Sequence, residues 1–427
     1  MQRAVGSRSR VQLLPPALPH SAVRRVPNCP GARVSFAQVG YDEAMRRAGA
    51  LVTVLRERAA GDESLRQMSK DTESDLHRAG LFRFHQPRRW GGMELPFVTL
   101  FDIPAEIGRG CASTAWNVAN LAVHHWLLAL YDPRAQDEVW SENPDALIAS
   151  GIAYAQGRGT RVDGGFSISG FWNFSSGVDA SGWNMLAVMV RDGDRVVDHR
   201  MCLVPKSDYE IVDDWQVVGM RSTGSKSVRA TDVFVPEHRA LCMYQARGGS
   251  EFPGASANPG ALYRVPIGAI SSHCLAAAGV GNAQAALELT TEAIKERSTS
   301  YTAARMRDFQ AVQLRVARAG AQIDAARLIC RADCLEAQGV AEQGRLMTIE
   351  DKLRCRRNVA YAMELCTDAV DSLHALAGAN GIYDRYPIQR LFRDQHALAA
   401  HIGFSWDAQG SPWGLVALGG EFVSPTL

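Results

Sequence analysis

The hydrophobic period of this chain changes twice, and that constrains its fold more than any other feature. From Tyr41 to Ala60 the apolar residues Ala44, Val52, Val54 and Leu55 recur at helical spacing among Arg and Glu. Further helices are predicted over 72–79, with Gly80 as C-cap, and over 95–107 and 114–131. A short one over 133–140 has Pro133 at its first position. After Pro144 the period drops to two. "GGFSISGFWNFSS" alternates, "NMLAVMVRDGDRVVDHRMCLVP" reads as a hairpin closed at Asp192-Gly193, and "VRATDVFVP" ends a strand at Pro236. The Gly/Pro/Ser-rich stretch "GGSEFPGASANPG" then leads back to Ala- and Leu-rich sequence, whose long stretches 309–338 and 349–376 fit antiparallel helices of a bundle. The chain is therefore α+β in the order helices, strands, helices. The expected units are a helical domain at 41–144, a barrel or sandwich of evenly spaced strands at 145–240, a linker at 241–262 and helices over 263–427.

A length of 427 residues suits two or three domains, and 46% hydrophobic residues exclude a disordered chain. The net charge of +1 gives no reason to expect nucleic acid or an acidic membrane as partner. No apolar run approaches the roughly 18 residues that span a bilayer. Residues 1–40 hold Arg and Pro but no Asp or Glu, and are expected to be a disordered extension outside the fold. Nine cysteines are scattered without a CxxC pair, an odd count that favours a reducing cytoplasm. Cys330 and Cys334 share a helix face, but no His or second Cys pair accompanies them, so no metal site is expected.

Nucleotide and hydrolase signatures are missing: no Walker loop, no GxGxxG after a strand, no HExxH, no GxSxG. "GVGNAQ" at 279–284 opens an Ala-rich helix and reads as close helix packing. His124 and His125 sit inside the apolar helix 114–131. A buried imidazole without a partner costs on the order of 1–3 kcal/mol, so at least one of the pair needs a partner, which a ligand hydroxyl can supply. Ser150 lies where the strands begin and reads as a turn serine. Arg297 ends an apolar helix and is either solvent-exposed or a phosphate anchor, because Arg offers bidentate geometry. "FWNFSSGVDA" places adjacent hydroxyls, Ser175 and Ser176, where a bulky strand ends. "GANGIYDRYPIQRLFRDQHALAAH" sets a Gly/Asn turn before aromatics, an Arg393-Asp394 pair, His396 and His401.

Taken together, "CASTAW", "GMRSTGSKSVRATDVFVP", "GVGNAQAALE" and "GIYDRYPIQRLFRDQH" resemble the acyl-CoA dehydrogenase fold over about residues 41–410. The resemblance implies an N-terminal helical domain, a central β-barrel and a C-terminal four-helix bundle, assembled as a homotetramer with flavin at the subunit contact. The dehydrogenases of that fold place a carboxylate base near Ser271 or near Ile402. Neither position is acidic here, and no Asp or Glu occurs in 252–286 or 395–406. Without a base, proton removal next to a thioester has no partner. "WGGMELP", "PDALIASGIA", "FSSG", "SDYEIVDDW" and "LFRDQH" are similar instead to the oxygenase branch, the two-component flavin-dependent monooxygenases, especially the large component of 4-hydroxyphenylacetate 3-hydroxylases.

That resemblance implies reduced FMN or FAD delivered by a separate NAD(P)H:flavin reductase, O2 as co-substrate, and a C4a-hydroperoxyflavin that oxygenates a small aromatic substrate. Carried over residue by residue, Ser176 would hydrogen-bond flavin N5 as a donor, and Phe171, Trp172 and Phe174 would exclude water. Trp116, Ser150 and Phe174 would line the flavin, Arg297 would meet its phosphate and His396 would lie near the peroxide. His124 and Ser150 would hold the substrate hydroxyl, with His124 as base. Relatives acting on phenylacetates bind the carboxylate through an Arg that falls at Pro266 here, with Arg264 two residues away. The substrate is therefore a phenylacetate reached by Arg264, or a phenol, an indole-like ring or a polycyclic phenol. An acyl-CoA dehydrogenase, a flavin-dependent N-oxygenase of amino sugars and a non-catalytic protein that kept the fold are the competing readings.

Overall fold

The computed structural model describes residues 34–424 and 427. Among the described residues, five α-helices come first: α1 (Tyr41–Leu65), α2 (Lys70–Ala79), α3 (Thr99–Gly108), α4 (Ala112–Leu128) and α5 (Pro133–Trp140). α1 buries Ala44, Ala48, Val52, Leu55 and Ala59, spaced by three or four, which is why this stretch is helical rather than extended. Ser69 caps α2 through the Thr72 N–H, and Gly80 ends it at φ 75°. The expected extension to residue 40 ends earlier than that. Phe36 is buried, with the Arg47 and Arg83 guanidinium groups over its ring. The rest of that expectation, residues 1–33, lies outside the described residues.

Eight strands follow: β1 (Ile148–Gly151), β2 (Gly157–Val162), β3 (Gly165–Ser175), β4 (Trp183–Asp192), β5 (Arg195–Pro205), β6 (Glu210–Val212), β7 (Lys226–Pro236) and β8 (Ala240–Cys242). They form one sheet in the order β6-β7-β3-β2-β4-β5-β8, with β1 added in parallel to β4. The sheet is open, so the expected closed barrel is corrected. Its edges are the three-residue strands β6 and β8, which do not pair with each other. Alternation reports which face of a strand is buried, not whether the last strand returns to the first. One face carries Phe166, Ile168, Trp172, Leu186 and Val188, and the other packs Ile148, Met185 and Leu203 into the helical core.

The chain ends in α6 (Ile267–Glu296), α7 (Gln310–Glu342), α8 (Ile349–Ala377), α9 (Pro387–Ala399) and α10 (Trp406–Ala417). α6, α8 and α9 pack on one another, α7 lies on α6 and α8, and α10 lies on α8. A reciprocal cap between Thr348 and Asp351 opens α8. "GVGNAQ" does not open a helix, because α6 begins twelve residues earlier. Its glycines are sites of close approach: a Cβ on Gly281 would stand 2.4 Å from the Ala105 carbonyl of α3.

Candidate active site

Every residue of α4 is buried except Asn120. Trp116, Asn120 and His124 are spaced by four and share one face of that helix, so the helix opens to solvent where these three side chains stand. The Nδ1–H of His124 donates to the Ile148 carbonyl of β1 at 2.7 Å. A carbonyl can only accept, so the proton is on Nδ1 and Nε2 keeps its lone pair. Burial pushes the His124 pKa down to about 4. Ser150 alternates with Ile148 along β1 and so lies on the face turned to α4. His125 points the other way, donating to the Ala146 carbonyl with Trp140 against its ring edge.

The end of β3 supplies the second wall. Its pairing with β7 slips between Trp172 and Ser175, and Phe174 is held at φ 66°. This irregularity breaks the alternation and sends the two adjacent serines to different partners. Ser175 accepts from Asn184 at 2.9 Å within the sheet. Ser176 accepts from the Trp116 indole N–H at 3.0 Å and lies 2.8 Å from Ser225 Oγ. Gly177 at φ 71° then turns the chain, and its N–H donates to Thr223.

The third wall is the segment 220–225, and the Arg393-Asp394 pair of α9 holds it in place. The Asp394 carboxylate accepts from the Met220 N–H at 2.6 Å, while Arg393 donates to the Val218 carbonyl at 2.6 Å and pairs with Glu63 of α1. Burial raises the Asp394 pKa to about 6. Past the end of α9, His401 meets the edge of the Trp116 ring at 5.7 Å between centroids. Its Nδ1 accepts from the Gly403 N–H at 3.1 Å, so its proton is on Nε2. Burial lowers its pKa to about 4.

The structure thus links Trp116 to Ser176, Ser225, Thr223 and His401, with Asn120 and His124 on the Trp116 face of α4 and Ser150 on the face of β1 turned to that helix. Among the described residues, no side-chain hydrogen bond or ring contact joins the other expected residues to this cluster; Phe174 meets it through its backbone, its carbonyl accepting from the Ser176 N–H at 3.0 Å. His396 pairs with Asp371 of α8 at 2.8 Å on a half-exposed surface. Arg297 donates to the Leu376 carbonyl at 2.9 Å, where a cation suits the C-terminus of α8. The Phe174 ring is 69% exposed and edge-on to Trp215. The Arg264 guanidinium has no hydrogen-bond partner among the described residues, and its Nε is buried. Trp172 is corrected outright: it fills the sheet interior, bonded to the Ala187 carbonyl at 2.8 Å, and cannot shield a ligand at this opening. A 620 Å³ cavity lined by His77, Glu138, Asp145 and Lys206 contains none of the cluster residues.

Residues 273–406 match the family model described as the acyl-CoA dehydrogenase C-terminal domain. Over 84% of this chain and 93% of the relative, the sequence is 35% identical to the flavin-dependent monooxygenase oxygenase subunit HsaA of Rhodococcus jostii. It is 34% identical to the FADH2-dependent resorcinol hydroxylase, oxygenase component, of a Rhizobium species, over 88% of this chain and 94% of that one. The crystal structure of the 3-HSA hydroxylase from Rhodococcus superposes with a TM-score of 0.86 at 34% identity, covering 90% of this chain and 99% of the other. The cluster suits a flavin: Trp116 offers an indole edge, Ser176 a spare lone pair and His401 an uncommitted N–H. The chain belongs to the oxygenase components of two-component flavin-dependent monooxygenases, enzymes of acyl-CoA dehydrogenase-like fold that use reduced flavin and O2 to hydroxylate aromatic rings.

Proposed function

We propose that the opening on α4 binds a phenolic or comparably electron-rich ring, with its hydroxyl between His124 and Ser150. The observation that carries this reading is the protonation of His124, whose Nδ1–H is spent on Ile148 while Nε2 has no partner among the described residues. An unprotonated Nε2 accepts the substrate O–H and draws electron density onto the ring carbons. Because burial disfavours the imidazolium, His124 acts chiefly as a hydrogen-bond acceptor that polarises the phenol, and full proton removal is the costlier course. Ser150 supplies the second hydrogen bond.

Trp116, Ser176 and His401 would hold the flavin ring; when bound, reduced flavin supplies the electrons for activating O2. Arg297 would meet its phosphate, a role that FMN and FAD share, and Phe174 would cover its edge. Neither Arg297 nor the Phe174 ring touches the cluster within one chain, which fits a homotetramer whose neighbouring copies complete each site. The open sheet would then serve as the barrel-like middle layer between the helical domain and a four-helix bundle of α6–α9. We further infer a cytoplasmic enzyme served by a separate NAD(P)H:flavin reductase. Nothing favours the dehydrogenase reading: Gly403 lies against Ser272, so the two segments that carry the base in dehydrogenases meet here without a carboxylate.

His124→Ala tests the assignment. With reduced flavin, O2 and a phenol, hydroxylated product should fall by about 10²-fold or more while O2 consumption continues as H2O2 release. Unchanged product yield would return His124 to a packing role. Arg264→Ala should raise KM for a hydroxyphenylacetate and leave a neutral phenol unaffected; equal losses on both would remove Arg264 from substrate binding.

A further inference from the structure

The structure assigns Ser225 and Thr223 as the positioning residues that fix the direction of the Ser176 hydroxyl, making Ser176 a hydrogen-bond acceptor toward the flavin. The inference rests on the flavin reading above and reverses the donor role expected for Ser176.

It follows from counting protons along a buried chain of four groups. Thr223 Oγ1 lies 2.8 Å from the Met220 carbonyl and 2.7 Å from Ser225 Oγ. The carbonyl can only accept, so the single Thr223 proton goes there. Thr223 must then accept from Ser225, which spends the Ser225 proton. Ser225 lies 2.8 Å from Ser176 and must in turn accept from it, which spends the Ser176 proton. At its other end Ser176 accepts from the Trp116 indole, which can only donate. The order is fixed from both ends: Trp116 N–H to Ser176, Ser176 O–H to Ser225, Ser225 O–H to Thr223, Thr223 O–H to the Met220 carbonyl. All four side chains are buried, so water does not readily scramble it. The chain is anchored through Met220, whose own N–H is held by Asp394 of α9.

What Ser176 keeps for a ligand is its second lone pair. Reduced flavin carries a hydrogen on N5, and oxidised flavin carries a lone pair there. The ordered chain therefore favours the reduced form, and disfavours the oxidised form by setting two lone pairs against each other. Removing Ser225 or Thr223 frees the Ser176 proton, which can then turn to an unprotonated N5.

Anaerobic equilibrium titration with reduced and with oxidised FMN and FAD reads this without turnover. The parent protein should bind the reduced form more tightly. Ser225→Ala and Thr223→Val should each narrow the ratio of the two dissociation constants by about tenfold, the equivalent of about 1.4 kcal/mol. Thr223→Ser keeps the hydroxyl and should restore the parent ratio. If both variants bind flavin with the parent ratio, or lose both forms equally, the chain has only a structural role and the inference is wrong. Parent protein that binds neither redox form would overturn the flavin reading itself, and this inference with it. Normal parent binding with unaltered variants would sink the inference alone.

Discussion

His396 and His401 stand on either side of the end of α9, and the chain turns between them, so their surroundings differ completely. His396 is still on the helix, beside Phe392 and paired with Asp371. His401 has passed the last turn and lies against Trp116 with its Nε2–H uncommitted. The sequence places both in one motif, but it does not show that α9 ends at Ala399, between them. Unusual local patterns singled out a histidine pair in an apolar helix and two hydroxyls at the end of an aromatic strand; the family resemblance, not the pattern, chose His124 and Ser176 from them. Asn120, Ser225 and Thr223 were not legible, since a lone polar residue in a helix and hydroxyls in a Gly/Ser loop are common. The only signal for Asn120 is its spacing of four from both Trp116 and His124. His401→Ala should weaken flavin binding and raise the H2O2 released per O2 consumed, whereas His396→Ala should leave both ratios near the parent values. The opposite ranking would restore the role first expected for His396.

Among the elements, hydrophobic period was a sound guide to which segments are helix and which are strand. It could not show closure of the sheet, because pairing between distant edges is set by strand length and twist rather than by alternation. Nor could it show the slip near the end of β3, which depends on β7 as much as on β3. The "LFRDQH" and "GMRSTG" motifs are distinctive in sequence without explaining themselves. In the fold they are one device, a two-residue clamp from α9 that holds the loop carrying Thr223 and Ser225 against α4. Removing the buried acceptor leaves the Met220 N–H unsatisfied, which costs about 1–3 kcal/mol. Asp394→Ala should therefore lower the unfolding free energy by about that much in a denaturant titration and weaken flavin binding with it. Asp394→Asn keeps an oxygen acceptor for the same N–H and should recover most of both. If the Ala variant is as stable as the parent, the loop is held by other contacts.

At the scale of the whole molecule, five buried histidines are shifted in the same direction. Burial lowers the pKa of His85 and His125 to about 3, lowers that of His124 and His401 to about 4, and lowers that of His77 as well. An unfolded histidine titrates near 6.5. Between about pH 6.5 and 4 the unfolded chain therefore binds protons at these positions that the folded chain refuses, so stability must fall as pH drops through that window. Each such group contributes a slope of about 1.4 kcal/mol per pH unit. Asp394 works in the opposite sense. Its folded pKa, raised to about 6, lets the native state take up a proton between about pH 6 and 4 that an unfolded carboxyl refuses, which favours folding in acid. Burial raises the pKa of the Glu364 carboxyl as well, so two carboxyls oppose five imidazoles, and the histidines decide the sign. The midpoint of thermal unfolding should be highest at or above about pH 7 and should fall steadily to pH 4.5, well before general carboxylate protonation. In His124→Phe, provided the ring packs, the fall should be shallower by one group's share. A midpoint that stays level from pH 6.5 to 4.5 would show that these rings can take up protons in the folded state, and the neutral His124 on which substrate polarisation depends would be lost with that result.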